Sequence, residues 1–122
     1  MKNKKILVVD DEFFISRSLS FMFKKEGYEC DTAYDGEAAM QIVETQKPGL
    51  IFLDLDMPKK DGYEVCQEIK SNPDLKDTYV IILTAKGQDL DEERGLKVGA
   101  DEYMLKPFDP RMVQRRVKEI LG

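Results

Sequence analysis

Short β-rich runs alternate along this chain with longer stretches of helical period, and few folds satisfy that alternation. The runs fall at residues 5–9, 28–33, 50–53, 79–83 and 102–105. Strands separated by helices cannot pair through tight hairpins, so they join by crossovers into a parallel sheet with helices on both faces. Leu50, Ile51, Phe52 and Leu53 are continuously apolar, as a strand covered on both sides requires. Between the runs, one-sided helical stripes are supplied by Ile15, Leu19, Met22 and Phe23, then by Ala39, Ile42 and Val43, then by Val65, Cys66 and Ile69. Val113, Val117, Ile120 and Leu121 form the last stripe. Gly27 suits a left-handed cap, Asp35 and Gly36 make a turn and cap, Pro48 and Gly49 stop the second helix, and Asp109 followed by Pro110 starts the final one. A fourth helix over 90–98, with a thin stripe and Gly95 inside it, is expected to be the least rigid. The sequence therefore reads as five strands and five helices with no linker or repeat, and 122 residues make one domain, 1–122.

Composition narrows the chemistry. The formal charge of −5 argues against sequence-independent attraction to nucleic-acid phosphates, so no direct nucleic-acid contact is expected of this domain. Histidine is absent, which removes serine–histidine triads, HExxH zinc sites and any phosphohistidine carried by this chain. Chemistry must rest on carboxylates, lysine, hydroxyls or a metal. Cys30 and Cys66 lack CxxC spacing and are expected to be reduced, buried small hydrophobes. With no signal-peptide pattern at the start and no apolar run near the ~20 residues that span a bilayer, the expected compartment is the cytoplasm, away from membranes.

The polar residues that end the apolar runs are not ordinary loop residues. Asp10 and Asp11 close the first run, Asp54 the third and Thr84 the fourth, and Lys106 follows the fifth. In open parallel sheets, ligands collect at the carboxyl ends of the strands, near the point where strand order reverses. Three carboxylates brought together there repel, each pair at 4 Å by roughly 4 kcal/mol at an effective dielectric near 20. One Mg²⁺ and the ammonium of Lys106 would balance Asp10, Asp11 and Asp54, and a few carboxylates with retained waters are the usual donors for this hard ion. A phosphoryl group on Asp54 would add strong acceptor oxygens for Mg²⁺, Lys106 and the Thr84 hydroxyl. Each residue also has a plain structural reading: Asp10 and Asp11 as helix caps, Asp54 as a turn residue, Asp56 as a solvated acid, Thr84 as a strand-end hydroxyl and Lys106 as a surface cation.

Four segments in order, ILVVDDE, LIFLDLDMPKKDG, VIILTAK and GADEYMLKPF, make the chain resemble the receiver domain of bacterial two-component response regulators, including the chemotaxis regulators. The resemblance covers essentially the whole chain. It implies a flavodoxin-like, doubly wound α/β fold with strand order 2-1-3-4-5. It further implies that Asp54 is the phosphoacceptor, taking a phosphoryl group from the phosphohistidine of a histidine kinase or phosphotransfer protein. Asp11 and Asp54 would ligate Mg²⁺, the backbone carbonyl of Asp56 would supply a third ligand, and Asp10 would act mainly through metal-bound water. Thr84 would donate to a phosphoryl oxygen, Lys106 would form an ion pair, and Lys106–Pro107 would be a cis peptide. Tyr103 matches the aromatic switch position, where the plain alternative is a half-buried strand tyrosine. The fourth helix, fifth strand and fifth helix would form the surface for an unnamed output partner, and a phosphorylation-dependent homodimer through the fourth and fifth helices is compatible with this. Asp56 and Lys86 flank the phosphoryl position and would tune its hydrolysis, and Lys59 and Lys60 would assist kinase docking.

Such a protein is a switch that at most catalyses its own phosphorylation and dephosphorylation. Its chief rival is an aspartate-nucleophile phosphatase or phosphotransferase of haloacid-dehalogenase type, because IFLDLD also resembles that family's hydrophobic-DxD strand. There Asp56 would be the general acid/base. That family places its DxD near the start with the second acidic pair far downstream, whereas here the pair at Asp10 and Asp11 comes first. A flavodoxin-like electron carrier is opposed by Asp10, Asp11 and Glu12, which would repel a flavin phosphate.

Overall fold

In a computed structural model, which describes residues 3–55, 61–85 and 99–122, the strands are β1 (Lys5–Val9), β2 (Glu29–Ala33), β3 (Leu50–Asp54), β4 (Tyr79–Ala85) and β5 (Glu102–Lys106). All pair in parallel, in the order β2-β1-β3-β4-β5. The helices among the described residues are α1 (Phe13–Lys25), α2 (Gly36–Gln46), α3 (Gly62–Ser71) and α4 (Pro110–Leu121). Here α4 is the fifth helix expected from sequence. The helix expected over 90–98, together with Gly95, lies outside the described residues, as do Asp56, Lys59, Lys60 and Lys86.

The period of two along each strand sorts the core into two halves. Leu7, Val9, Ile51, Leu53, Val80 and Ile82 pack with Ala39 and Val43 of α2 and with Val65, Cys66 and Ile69 of α3. The alternate residues, Ile6, Val8, Leu50, Phe52, Ile81 and Leu83, pack with Leu19 and Phe23 of α1 and with Val113, Val117 and Leu121 of α4. Phe23 and Phe52 stack at 5.5 Å between ring centroids, joining α1 to the middle strand. Cys30 and Cys66 are both buried and are not joined in a disulfide.

Three helices begin on aspartate caps, as side-chain oxygens of Asp35, Asp61 and Asp109 accept from Ala38 N, Glu64 N and Arg111 N at 2.8, 2.9 and 2.9 Å. Below the sheet, Lys70 Nζ lies 2.7 Å from Asp101 Oδ2 and donates to the carbonyls of Lys76 and Thr78 at 3.0 and 2.6 Å. Asp101 Oδ2 also accepts from Val80 N at 2.8 Å. This knot ties the end of α3 to the starts of β4 and β5.

Several boundaries differ from the sequence reading. The third, fourth and fifth strands run on to Asp54, Ala85 and Lys106, because their neighbours continue the ladder: Asp54 pairs with Leu83, Thr84 with Leu105 and Ala85 with Lys106. Tyr28 falls outside β2, where its N–H caps α1 by donating to Phe23 O at 3.1 Å. The inward face of α1 is Ser16, Leu19, Ser20 and Phe23, with Ile15 and Met22 only half-buried at its margins. No described helix is long and apolar enough to cross a membrane.

Candidate functional site

From β1 the chain crosses to β2 on one side of the sheet, and from there to β3 on the other. The cleft at the carboxyl ends of β1 and β3 is therefore the switch point at which such sheets bind ligands. Asp10 follows β1 and Asp54 ends β3. In the alternation of their strands, both continue the series facing α1 and α4, as does Lys106 after Met104. Thr84 belongs to the opposite series with Val80 and Ile82, and Tyr103, opposite Ile82 on β5, packs half-buried against that same core.

One carboxylate oxygen from each of Asp10, Asp11 and Asp54 lies within 4.8 Å of the others, with Asp10 and Asp54 buried and Asp11 exposed at the mouth. Lys106 Nζ sits 2.7 Å from Asp10 Oδ2 and 3.5 Å from Asp54 Oδ1, and Glu12 Oε1 approaches it at 3.5 Å from the solvent side. Thr84, near the carboxyl end of β4, is buried. Burial pushes the Asp54 carboxyl up to about 7, and the negative charge of Asp10 adds to this while Lys106 opposes it. Burial disfavours the Lys106 charge, yet its hydrogen bond with Asp10 and the charges of Asp10, Asp54 and Glu12 hold the ammonium above its ordinary range.

Asp10 is fixed from four directions. Its N–H donates to Ala33 O at 3.1 Å, Oδ1 accepts from Glu12 N at 2.9 Å, Oδ2 faces Lys106, and its carbonyl accepts from Ser16 Oγ at 2.9 Å. The helix-cap alternative for Asp10 does not hold, because Glu12 is the N-cap of α1 and no side chain caps that helix. Sequence reasoning missed Ser16; the available signal was a serine in register with Leu19 and Phe23 on the inward face of α1, which it shares with Ser20. Sequence reasoning also missed Gly62. A β-carbon there would strike the carbonyl of Asp54, and Gly62 N donates to Leu55 O at 3.0 Å, so the start of α3 is seated directly on the end of β3. The Lys106–Pro107 peptide is cis.

The oxygen donors suit a small hard cation with retained waters: buried Asp10 and Asp54 face an exposed Asp11, and Lys106 supplies only part of the balancing charge.

A doubly wound α/β domain with an acidic pocket and a half-buried lysine at its switch point is the class of protein defined by this fold and site. A model of the response regulator receiver domain matches residues 6–118, and the chain belongs to that family. It is 49% identical over 119 residues to the alkaline phosphatase synthesis transcriptional regulatory protein PhoP of Bacillus subtilis, covering 98% of this chain and 49% of that protein. The chain spans about half the length of the curated relatives it matches. Among solved structures it resembles the signal receiver domain of a signal transduction histidine kinase from Syntrophus aciditrophicus, with a TM-score of 0.88, 32% identity and coverage of 97% of this chain and 89% of that one. The chemotaxis response regulator CheY4 of Vibrio cholerae superimposes with a TM-score of 0.87 at 29% identity, covering 96% of this chain and 98% of that one. Membership of this family sets aside the dehalogenase-type and electron-carrier readings.

Proposed function

We propose that this chain is a single receiver domain, 1–122, acting as a phosphorylation-controlled switch in a two-component relay, with Asp54 as the phosphoacceptor. The observation that carries this reading is the buried Asp54 carboxylate, gathered with Asp10 and Asp11 within 4.8 Å and facing the Lys106 ammonium at 3.5 Å. In the transfer, an Asp54 oxygen attacks phosphorus as the N–P bond of a histidine kinase's or phosphotransfer protein's phosphohistidine breaks. The imidazole nitrogen leaves with the bonding electrons, and the phosphoryl group ends on Asp54.

Asp11 and Asp54 would hold Mg²⁺ directly, Asp10 through water, and the Asp56 backbone carbonyl would complete the set. Bound there, the ion supplies positive charge to the phosphoryl oxygens. Lys106 neutralises a further oxygen, and the Thr84 hydroxyl donates to another. Thr84 and Leu105 are paired across β4 and β5, so a shift of Thr84 towards the phosphoryl group reaches Tyr103, two residues back on β5. The surface made by β5, α4 and the segment before β5 would then engage an output partner or a second copy. The −5 charge favours DNA contact through another segment or partner, in keeping with a role in transcription like that named for the Bacillus relative. Such a relay works in the cytoplasm.

The test is intact mass after incubation with acetyl phosphate, with and without Mg²⁺, beside Asp54→Ala. One Mg²⁺-dependent phosphoryl adduct, absent from the variant, is expected. No adduct where a known receiver reacts would overturn the proposal.

A further inference from the structure

Ser16 is buried in the first turns of α1, where the rest of that face is mainly apolar. Its hydroxyl donates to the main-chain carbonyl of Asp10 at 2.9 Å, six residues earlier. That carbonyl belongs to the peptide joining Asp10 to Asp11. The Asp10 N–H is held by Ala33 O and its carboxylate by Glu12 N and Lys106, so Ser16 closes the remaining freedom of the residue. Asp11 is exposed, and the direction in which its side chain leaves the backbone is set chiefly by the plane of the peptide that Ser16 holds.

We propose that Ser16 is a positioning residue for the acidic pocket: it fixes the Asp10–Asp11 peptide so that the Asp11 carboxylate stays within ligand distance of Asp54 before any cation arrives. This rests on the reading of Asp10, Asp11 and Asp54 as a Mg²⁺ site. Without Ser16 the buried carbonyl loses its donor, and the peptide can rotate to seek another. The pocket would then have to be reordered on binding.

The experiment is a calorimetric titration of Mg²⁺ into the unaltered protein, Ser16→Ala and Leu19→Ala, at a temperature where all three are folded. Leu19→Ala opens a cavity on the same helix face without removing any of the hydrogen bonds that hold Asp10, and controls for loss of stability. Ser16→Ala is expected to weaken Mg²⁺ binding about tenfold and to shift the Asp11 and Glu12 amide resonances of the metal-free protein. Leu19→Ala should keep its affinity within about twofold. Equal affinity in Ser16→Ala and the unaltered protein, or an equal loss in both variants, would overturn the role of Ser16 while leaving the metal site standing. No Mg²⁺ binding by the unaltered protein would overturn the metal reading and, with it, this inference.

Discussion

Lys106 Nζ and Asp10 Oδ2 meet at 2.7 Å, with the Asp10 side chain fully buried and that of Lys106 nearly so. Asp10 therefore has its countercharge before any cation or phosphoryl group is present, and β5 is tied to the end of β1 across the whole width of β3 and β4. Removing the lysine leaves buried carboxylates without compensation. Lys106→Met is expected to cost about 3 kcal/mol at neutral pH without Mg²⁺, read by urea unfolding. Added Mg²⁺ should recover part of this loss, and an unchanged midpoint would refute the pairing.

The raised Asp54 carboxyl makes the metal-free protein less stable as pH rises. Its folded value of about 7 exceeds the ordinary carboxyl value of 3.8, so the folded state holds this proton more tightly than the unfolded state. The stabilisation from this group is complete below about pH 4 and is lost as pH rises through about 7, with an upper bound of about 4 kcal/mol. Asp54→Asn should remove that slope and make the protein more stable than the unaltered chain at pH 8 in the presence of a chelator. Parallel pH–stability curves for the two proteins would contradict it.

Gly62 sits where a β-carbon would meet the Asp54 carbonyl. Gly62→Ala must push α3 away from the end of β3, at a cost of about 1–3 kcal/mol from overpacking. The same displacement is expected to slow acetyl phosphate labelling of Asp54. Thermal unfolding and the labelling rate should move together, and wild-type behaviour in both would show that the contact relaxes freely.

Lys70 and Asp101 share a partly buried ion pair that also serves Val80 N and the carbonyls of Lys76 and Thr78. Lys70→Met and Asp101→Asn should each destabilise by about 2 kcal/mol. The double variant should lose clearly less than the two losses combined. Full additivity in a double-mutant cycle would mean that the two groups act separately.

Much of the fold was legible because strand and helix periods are local. A residue's neighbours along the chain already show whether it repeats at two or at 3.6, and the caps at Asp35 and Asp109 are chosen by the backbone within three residues. Strand ends were read short at Asp54, Thr84 and Lys106. These residues are polar, yet the ladders to Leu83, Leu105 and Ala85 carry them into the sheet. Tyr28 erred in the other direction, since its apolar character suggested a strand while its N–H was committed to Phe23 O.

The acids of the pocket and Lys106 as their balancing cation were visible in sequence as unusual ends to apolar runs, but the geometry that joins them was not. That Asp10 faces Lys106 at 2.7 Å, that Ser16 holds the Asp10 carbonyl, and that Gly62 must lack a side chain beneath Asp54 are all decided by the packing of α1, α3 and β5 around β1 and β3. The sequence by itself determined the alternation of elements, the two-sided core and the kinds of charge at the strand ends, because short-range sterics and hydrophobic period act on neighbours in the chain. Tertiary structure alone decided which charges share a buried space and how far burial moves them. Coulomb energy and desolvation depend on distance through the folded protein, and the sequence does not contain that distance.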